Sequence, residues 1–100
     1  MTNQLSQRSF RVSDGVVFRE LDGEAVLLNL DSGMYFGLDR VGTRIWQLLD
    51  AHHRLDKVIE ELLEEYDVAR ETLEADVARL LGALLEKGLV VQGDDPAAHP

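Results

Sequence analysis

Few side chains in this sequence are placed to do covalent chemistry. There is no cysteine, so neither a thiolate nucleophile nor a thiolate metal ligand is available. His52 and His53 are adjacent, and neighbouring side chains point to different sides of a helix or a strand. No Asp or Glu stands at ligand spacing inside the same connector, so solvated loop histidines are the default reading and a metal site is not expected. Serine and threonine are few, none in the strand–turn–helix setting that exposes a nucleophile, and no glycine-rich phosphate loop occurs. Acid pairs at one-turn spacing are common, above all Glu60, Glu61, Glu64 and Glu65. On an exposed helical face such carboxylates are usually just solvated. Catalysis needs a nucleophile, base or metal converging in a cleft. The pattern instead predicts a non-catalytic binding module that needs no cofactor.

What such a module has to position turns on the stretch from 35 to 46. Tyr35–Leu38 is aromatic and apolar, suited to a half-buried strand. Asp39 then offers an oxygen to the free N–H groups of a first helical turn. Ile45, Leu48 and Leu49 build one face of that helix, with Trp46, the only tryptophan, on its flank. Trp46 is expected to be buried against the third helix and the hairpin.

Upstream of this junction the chain reads as strands. Val16–Leu21 is followed by Asp22-Gly23, a two-residue hairpin signal because both central positions of that turn need positive φ. The run 25–30 is nearly continuously apolar, and Asp31-Ser32-Gly33 makes a second turn. A third strand at 34–38 puts Met34, Phe36 and Leu38 on one face, Tyr35 and Gly37 on the other. Downstream the period changes to helical. A first helix spans 40–50, with Gly42 in its first turn explained by close approach of the hairpin backbone. A second buries Val58, Ile59, Leu62 and Leu63, and Val68 is expected to plug the link that follows. A third, at 70–87, carries the stripe Leu73, Val77, Leu80, Leu81 and Leu84. Gly88 stops it, and 89–91 extends back onto the core.

The expected fold is therefore α+β, a three-stranded antiparallel meander followed by three helices. One hundred residues make one small domain, placed at 10–91 with disordered tails at 1–9 and 92–100. The apolar fraction of 45% and charged fraction of 29% are ordinary for a globular protein. No run approaches the roughly 20 apolar residues of a membrane span. The polar N-terminus does not resemble a secretory signal, so a cytoplasmic location is expected.

Acids outnumber bases 19 to 10, for a formal charge of −9. Nucleic-acid binding rests on Lys and Arg neutralising phosphates, so neither nucleic acid nor an anionic membrane is an expected partner. Two binding modes suit strands followed by three helices. A winged helix-turn-helix regulator would place the third helix in a major groove, but Glu71, Glu74, Asp76 and Glu86 outnumber Arg70, Arg79 and Lys87 there. The other mode adds a peptide strand to the edge of the small sheet, beside a helix that supplies side-chain pockets. It needs an open edge and an apolar groove but no basic patch, and it is the preferred reading.

The residues that carry these features also resemble a known family. The run from Leu28 through Asp31-Ser32-Gly33-Met34-Tyr35-Phe36-Gly37-Leu38-Asp39, with Gly42, Ile45-Trp46 and Leu49, is similar to the PqqD family. So are Glu64-Glu65-Tyr66-Asp67-Val68, Leu73-Glu74-Ala75-Asp76-Val77 and Lys87-Gly88-Leu89-Val90. Asp39 departs from the Asn common in the family, but both residues cap helices. The resemblance implies a winged-helix-like element that recognises the leader of a ribosomally made precursor peptide. Such elements hold the leader for a separate enzyme, such as a radical S-adenosylmethionine enzyme or a leader peptidase. It further implies that the leader pairs with the third strand and lies against the third helix. Carried onto this chain, the strand side is Met34, Tyr35, Phe36 and Gly37. The helix side is Asp76, Arg79, Leu80 and Ala83.

Overall fold

Two tight turns set the register of the sheet. In the computed structural model, which describes residues 9–93, Asp22 and Gly23 take φ of 57° and 84°. These angles suit the right-handed twist of the strands they join. They link β2 (Val16–Leu21) to β3 (Glu24–Asn29), with Leu21 opposite Glu24 and Phe18 opposite Leu27. Gly33, at φ 76°, turns the chain into β4 (Tyr35–Leu38), which pairs antiparallel with β3, Phe36 opposite Leu27 and Leu38 opposite Ala25. The expected meander is present, with its third strand starting one residue later than the sequence suggests. The tails expected at 1–9 and 92–100 lie largely outside the described residues.

Alternation then divides the sheet into two faces. Ala25, Leu27 and Asn29 are buried on the inner face of β3, where Phe36 and Leu38 also sit. Helix α1 (Arg40–His52) covers this face. Asp39 caps it, its carboxylate accepting from the Gly42 N–H at 2.8 Å, and the buried Thr43 hydroxyl donates to the Leu38 carbonyl at 3.4 Å. Trp46 is only 3% exposed. Its ring lies nearly parallel to Phe18 of β2, with centroids 6.5 Å apart, an offset stack of the favourable kind. Gly42 is close to the Leu38 side chain rather than to hairpin backbone: a Cβ there would stand 3.3 Å from Leu38 Cδ2.

Helix α1 runs two residues beyond its expected end, stopping at His53, which takes φ 66°. Helices α2 (Leu55–Glu65) and α3 (Arg70–Glu86) follow. Leu55, Val58, Ile59 and Leu62 of α2 and Leu73, Val77, Leu81 and Leu84 of α3 enter the core, with Leu80 half-buried at its margin. Val68 does not plug the link; it is 44% exposed. Gly88, at φ 71°, ends α3 with bonds from Gly88 N–H to the Leu85 carbonyl and from Leu89 N–H to that of Leu84. A left-handed residue at this position satisfies carbonyls the helix leaves free. The chain then returns as β5 (Val90–Gln92), pairing antiparallel with β1 (Phe10–Val12) in a separate ribbon. The extended segment after Gly88 is as expected; its partner strand is the new feature.

Candidate functional site

Strand β4 is an edge. It pairs with β3 on one side, and among the described residues nothing pairs with the other. Which of its backbone groups face outward follows from one bond. Asn29 N–H donates to the Met34 carbonyl at 2.8 Å, which makes Asn29 and Met34 a hydrogen-bonded pair. Such pairs alternate along an antiparallel ladder, so Phe36 and Leu38 bond inward to β3. The N–H and C=O of Tyr35 and Gly37 point away from the sheet. The β2–β3 ladder obeys the same alternation, since the bond from Leu30 N–H to the Gly15 carbonyl at 2.9 Å continues it in register.

Beside this edge lies a groove of about 440 Å³ between β4, the start of α1 and α3. Phe36 and Leu38 line it from the sheet, Val41 and Ile45 from α1, Leu80 and Ala83 from α3. Its walls are therefore mainly apolar. Charge enters at Asp39, Asp76 and Arg79. Arg79 donates to Asp76 at 2.6 Å one turn back on α3; the Arg79 side chain remains largely in solvent and that of Asp76 is partly covered. The Asp39 carboxylate is engaged by its helix cap. Gly42 forms part of the lining, and its missing side chain keeps that end open.

Six of the eight residues singled out by sequence meet here: Phe36 and Gly37 from β4, Asp76, Arg79, Leu80 and Ala83 from α3. Met34 and Tyr35 do not line the groove. Met34 precedes the strand and is 44% exposed; Tyr35 points to the outer face of the sheet and is 71% exposed. The α1 contributions were not singled out by sequence: Ile45 was read only as a core residue and Val41 was not assigned a role. An exposed valine one residue into a capped helix, beside a small Gly42, was the available signal.

The strongest ion pair lies elsewhere. Arg44 donates to both Glu65 oxygens, at 2.8 and 2.6 Å, tying α1 to α2. Those hydrogen bonds hold the Glu65 carboxyl below its ordinary range and raise the Arg44 guanidinium further. His52 Nε2 stands 3.8 Å from Glu61. Among the described residues no group of three or more His, Asp or Glu side chains is placed to hold a metal ion, and no helix is long and apolar enough to cross a membrane.

Residues 24–90, from the start of β3 through α3 into β5, match the family described as coenzyme PQQ synthesis protein D. The chain belongs to the PqqD family. Two solved structures share the PqqD-like fold seen here. One is TbiB1 in complex with the TbiA(beta) leader peptide, 44% identical, TM-score 0.78, covering 85% of this chain and 99% of that one. The other is lasso peptide synthetase B1 complexed with the leader peptide, 32% identical, TM-score 0.74, covering 83% and 98%. No curated protein matches the chain.

Proposed function

We propose that this PqqD-family chain is a non-catalytic recognition element for the leader of a ribosomally synthesised precursor peptide. The leader adds as a strand at β4 and is held for a separate modifying enzyme, such as a radical S-adenosylmethionine enzyme or a leader peptidase. The observation that carries this reading is the pair of outward-facing peptide groups, Tyr35 and Gly37, beside an apolar groove. Main-chain bonds to such an edge give sequence-tolerant affinity, and side-chain pockets give selectivity. The two solved relatives, both complexes with leader peptides, support the assignment of the partner. On this reading Met34 and Tyr35 flank the entering strand, Phe36 and Gly37 run beneath it, and Asp76, Arg79, Leu80 and Ala83 face it from α3.

Proline tests the strand directly, because it removes one N–H. Tyr35→Pro and Gly37→Pro each delete an outward donor that the fold does not use. Both variants are expected to keep the parent circular dichroism and lose binding of a fluorescent TbiA(beta) leader peptide by tenfold or more, as on the order of 1–2 kcal/mol of hydrogen bonding disappears. Folded variants that bind as well as the parent would show that the peptide does not pair with β4.

A further inference from the structure

Gly37 has no reason to be glycine within the isolated fold. Its φ lies outside the left-handed region, and a Cβ built on it meets no atom within 4 Å. Glycine inside a strand weakens it, so neither backbone conformation nor internal packing accounts for this residue. Its empty side faces outward. In register, Gly37 stands opposite Val26, and Val26 opposite Arg19, so these three form one row across the outer face. A shallow depression covers the row, its lining including Arg19, Leu21, Val26 and Gly37 together with the acids Glu20, Glu24 and Asp39. Val26 is 49% and Leu21 78% exposed. The row is apolar at Val26, bare at Gly37, cationic at Arg19, and bounded along β4 by the Tyr35 ring.

A strand added at β4 continues the pleat, so every second side chain of it must fall on this outer face and not in the groove. The residue across from Gly37 is one of them. We propose that Gly37 is a notch that admits a large aromatic side chain of the leader, laid across β4 against Val26. The inference rests on the strand-addition reading above and adds a second side-chain subsite, on the face opposite the groove. Reach selects the chemistry. Neighbouring strands lie about 4.8 Å apart, so contact with Val26 requires crossing the full width of β4. A ring does this; an alanine or a branched aliphatic residue covers Gly37 and stops. Any residue larger than glycine at position 37 would stand in its path. Arg19, next in the row beyond Val26, would lay its guanidinium over the face of the ring, and the ring's flank would lie beside Tyr35.

The test uses the full chain and peptides it selects for itself. An mRNA-displayed library of random linear peptides is enriched on the parent protein. The selected peptides are then titrated against the parent, Gly37→Val, Val26→Ser and Gly37→Pro. Winners are expected to share one aromatic position, and alanine there should weaken binding to the parent about tenfold. Gly37→Val should weaken the aromatic peptide about tenfold more than it weakens the alanine version. That coupling is what a residue acting only on fold or strand propensity would not produce. Val26→Ser, an exposed position outside the edge, should show the same coupling more weakly, and it carries the test if Gly37→Val does not fold. Aromatic peptides that bind both variants like the parent, but are lost on Gly37→Pro, overturn the notch and leave strand addition standing. Insensitivity to Gly37→Pro, or no enrichment at all, overturns strand addition and the notch with it.

Discussion

Asn29 donates from Nδ2 to the Gly88 carbonyl at 3.0 Å, while its Oδ1 accepts from the N–H groups of Asp31 and Ser32 at 2.9 and 3.3 Å. One buried side chain thus joins the turn that launches β4 to the residue that ends α3, the two walls of the groove. Asn29→Ala strands that carbonyl and those amides, and should cost about 1–3 kcal/mol in urea melts. It should also weaken leader binding while the far end of the groove keeps its side chains. Nothing in the sequence announced this role, because one Asn at the end of an apolar run reads as a strand terminus. Trp46 was legible for the opposite reason. The sole tryptophan, flanking an apolar helical stripe, has few places to go except the core, and its stack on Phe18 puts it there. Trp46→Ala should lose about 3–5 kcal/mol of unfolding free energy, and a loss under about 1 kcal/mol would place the ring outside the core.

Local signals explain which elements could be read. The β2–β3 hairpin and the caps of α1 and α3 are each decided by a few adjacent residues: Asp22-Gly23, Asp39 and Gly88. The β1–β5 ribbon is decided by Phe10–Val12 meeting Val90–Gln92, a pairing that no local pattern encodes. The three residues of β1 were too few to show a period, and β5 could be seen only as extended chain. Strand β4 makes the same distinction testable within one element. Phe36 bonds inward to β3, opposite Leu27, so Phe36→Pro removes a ladder bond the sheet does use. It should lower the melting temperature and the cooperativity of unfolding, in contrast to proline at Tyr35 or Gly37. Equal thermal stability of the three variants would contradict the alternation derived from the Asn29–Met34 bond. The family resemblance, with wheel position on α3 and period on β4, pointed to six residues that line the groove, because both periods are local. Val41 and Ile45 were not among them because the lateral offset of α1 against β4 is not local.

At the scale of the whole molecule, charge decides the partner more than shape does. A formal charge of −9 repels phosphate backbones, and α3, the helix a winged-helix reader would insert in DNA, is itself rich in acid. No salt-sensitive binding to duplex DNA is expected at physiological ionic strength, by gel-shift titration. A peptide held by backbone bonds and an apolar groove escapes that penalty, but it still feels the field near the groove mouth. There, among the described lining residues, Arg79 is the one cation beside Asp39 and Asp76. Arg79→Glu reverses its sign without touching the core, since the side chain is 75% exposed. Two leader peptides that differ only in an acidic or a basic residue facing α3 then serve as probes. The acidic one should bind Arg79→Glu about two- to fivefold more weakly than the parent, and the basic one more tightly by a similar factor. Both changes should shrink as salt rises, because solvent-exposed charges are screened within about 8 Å at physiological ionic strength. If both peptides shift together, or neither does, Arg79 does not face the bound leader, and the α3 wall of the site must be assigned to Leu80 and Ala83 alone.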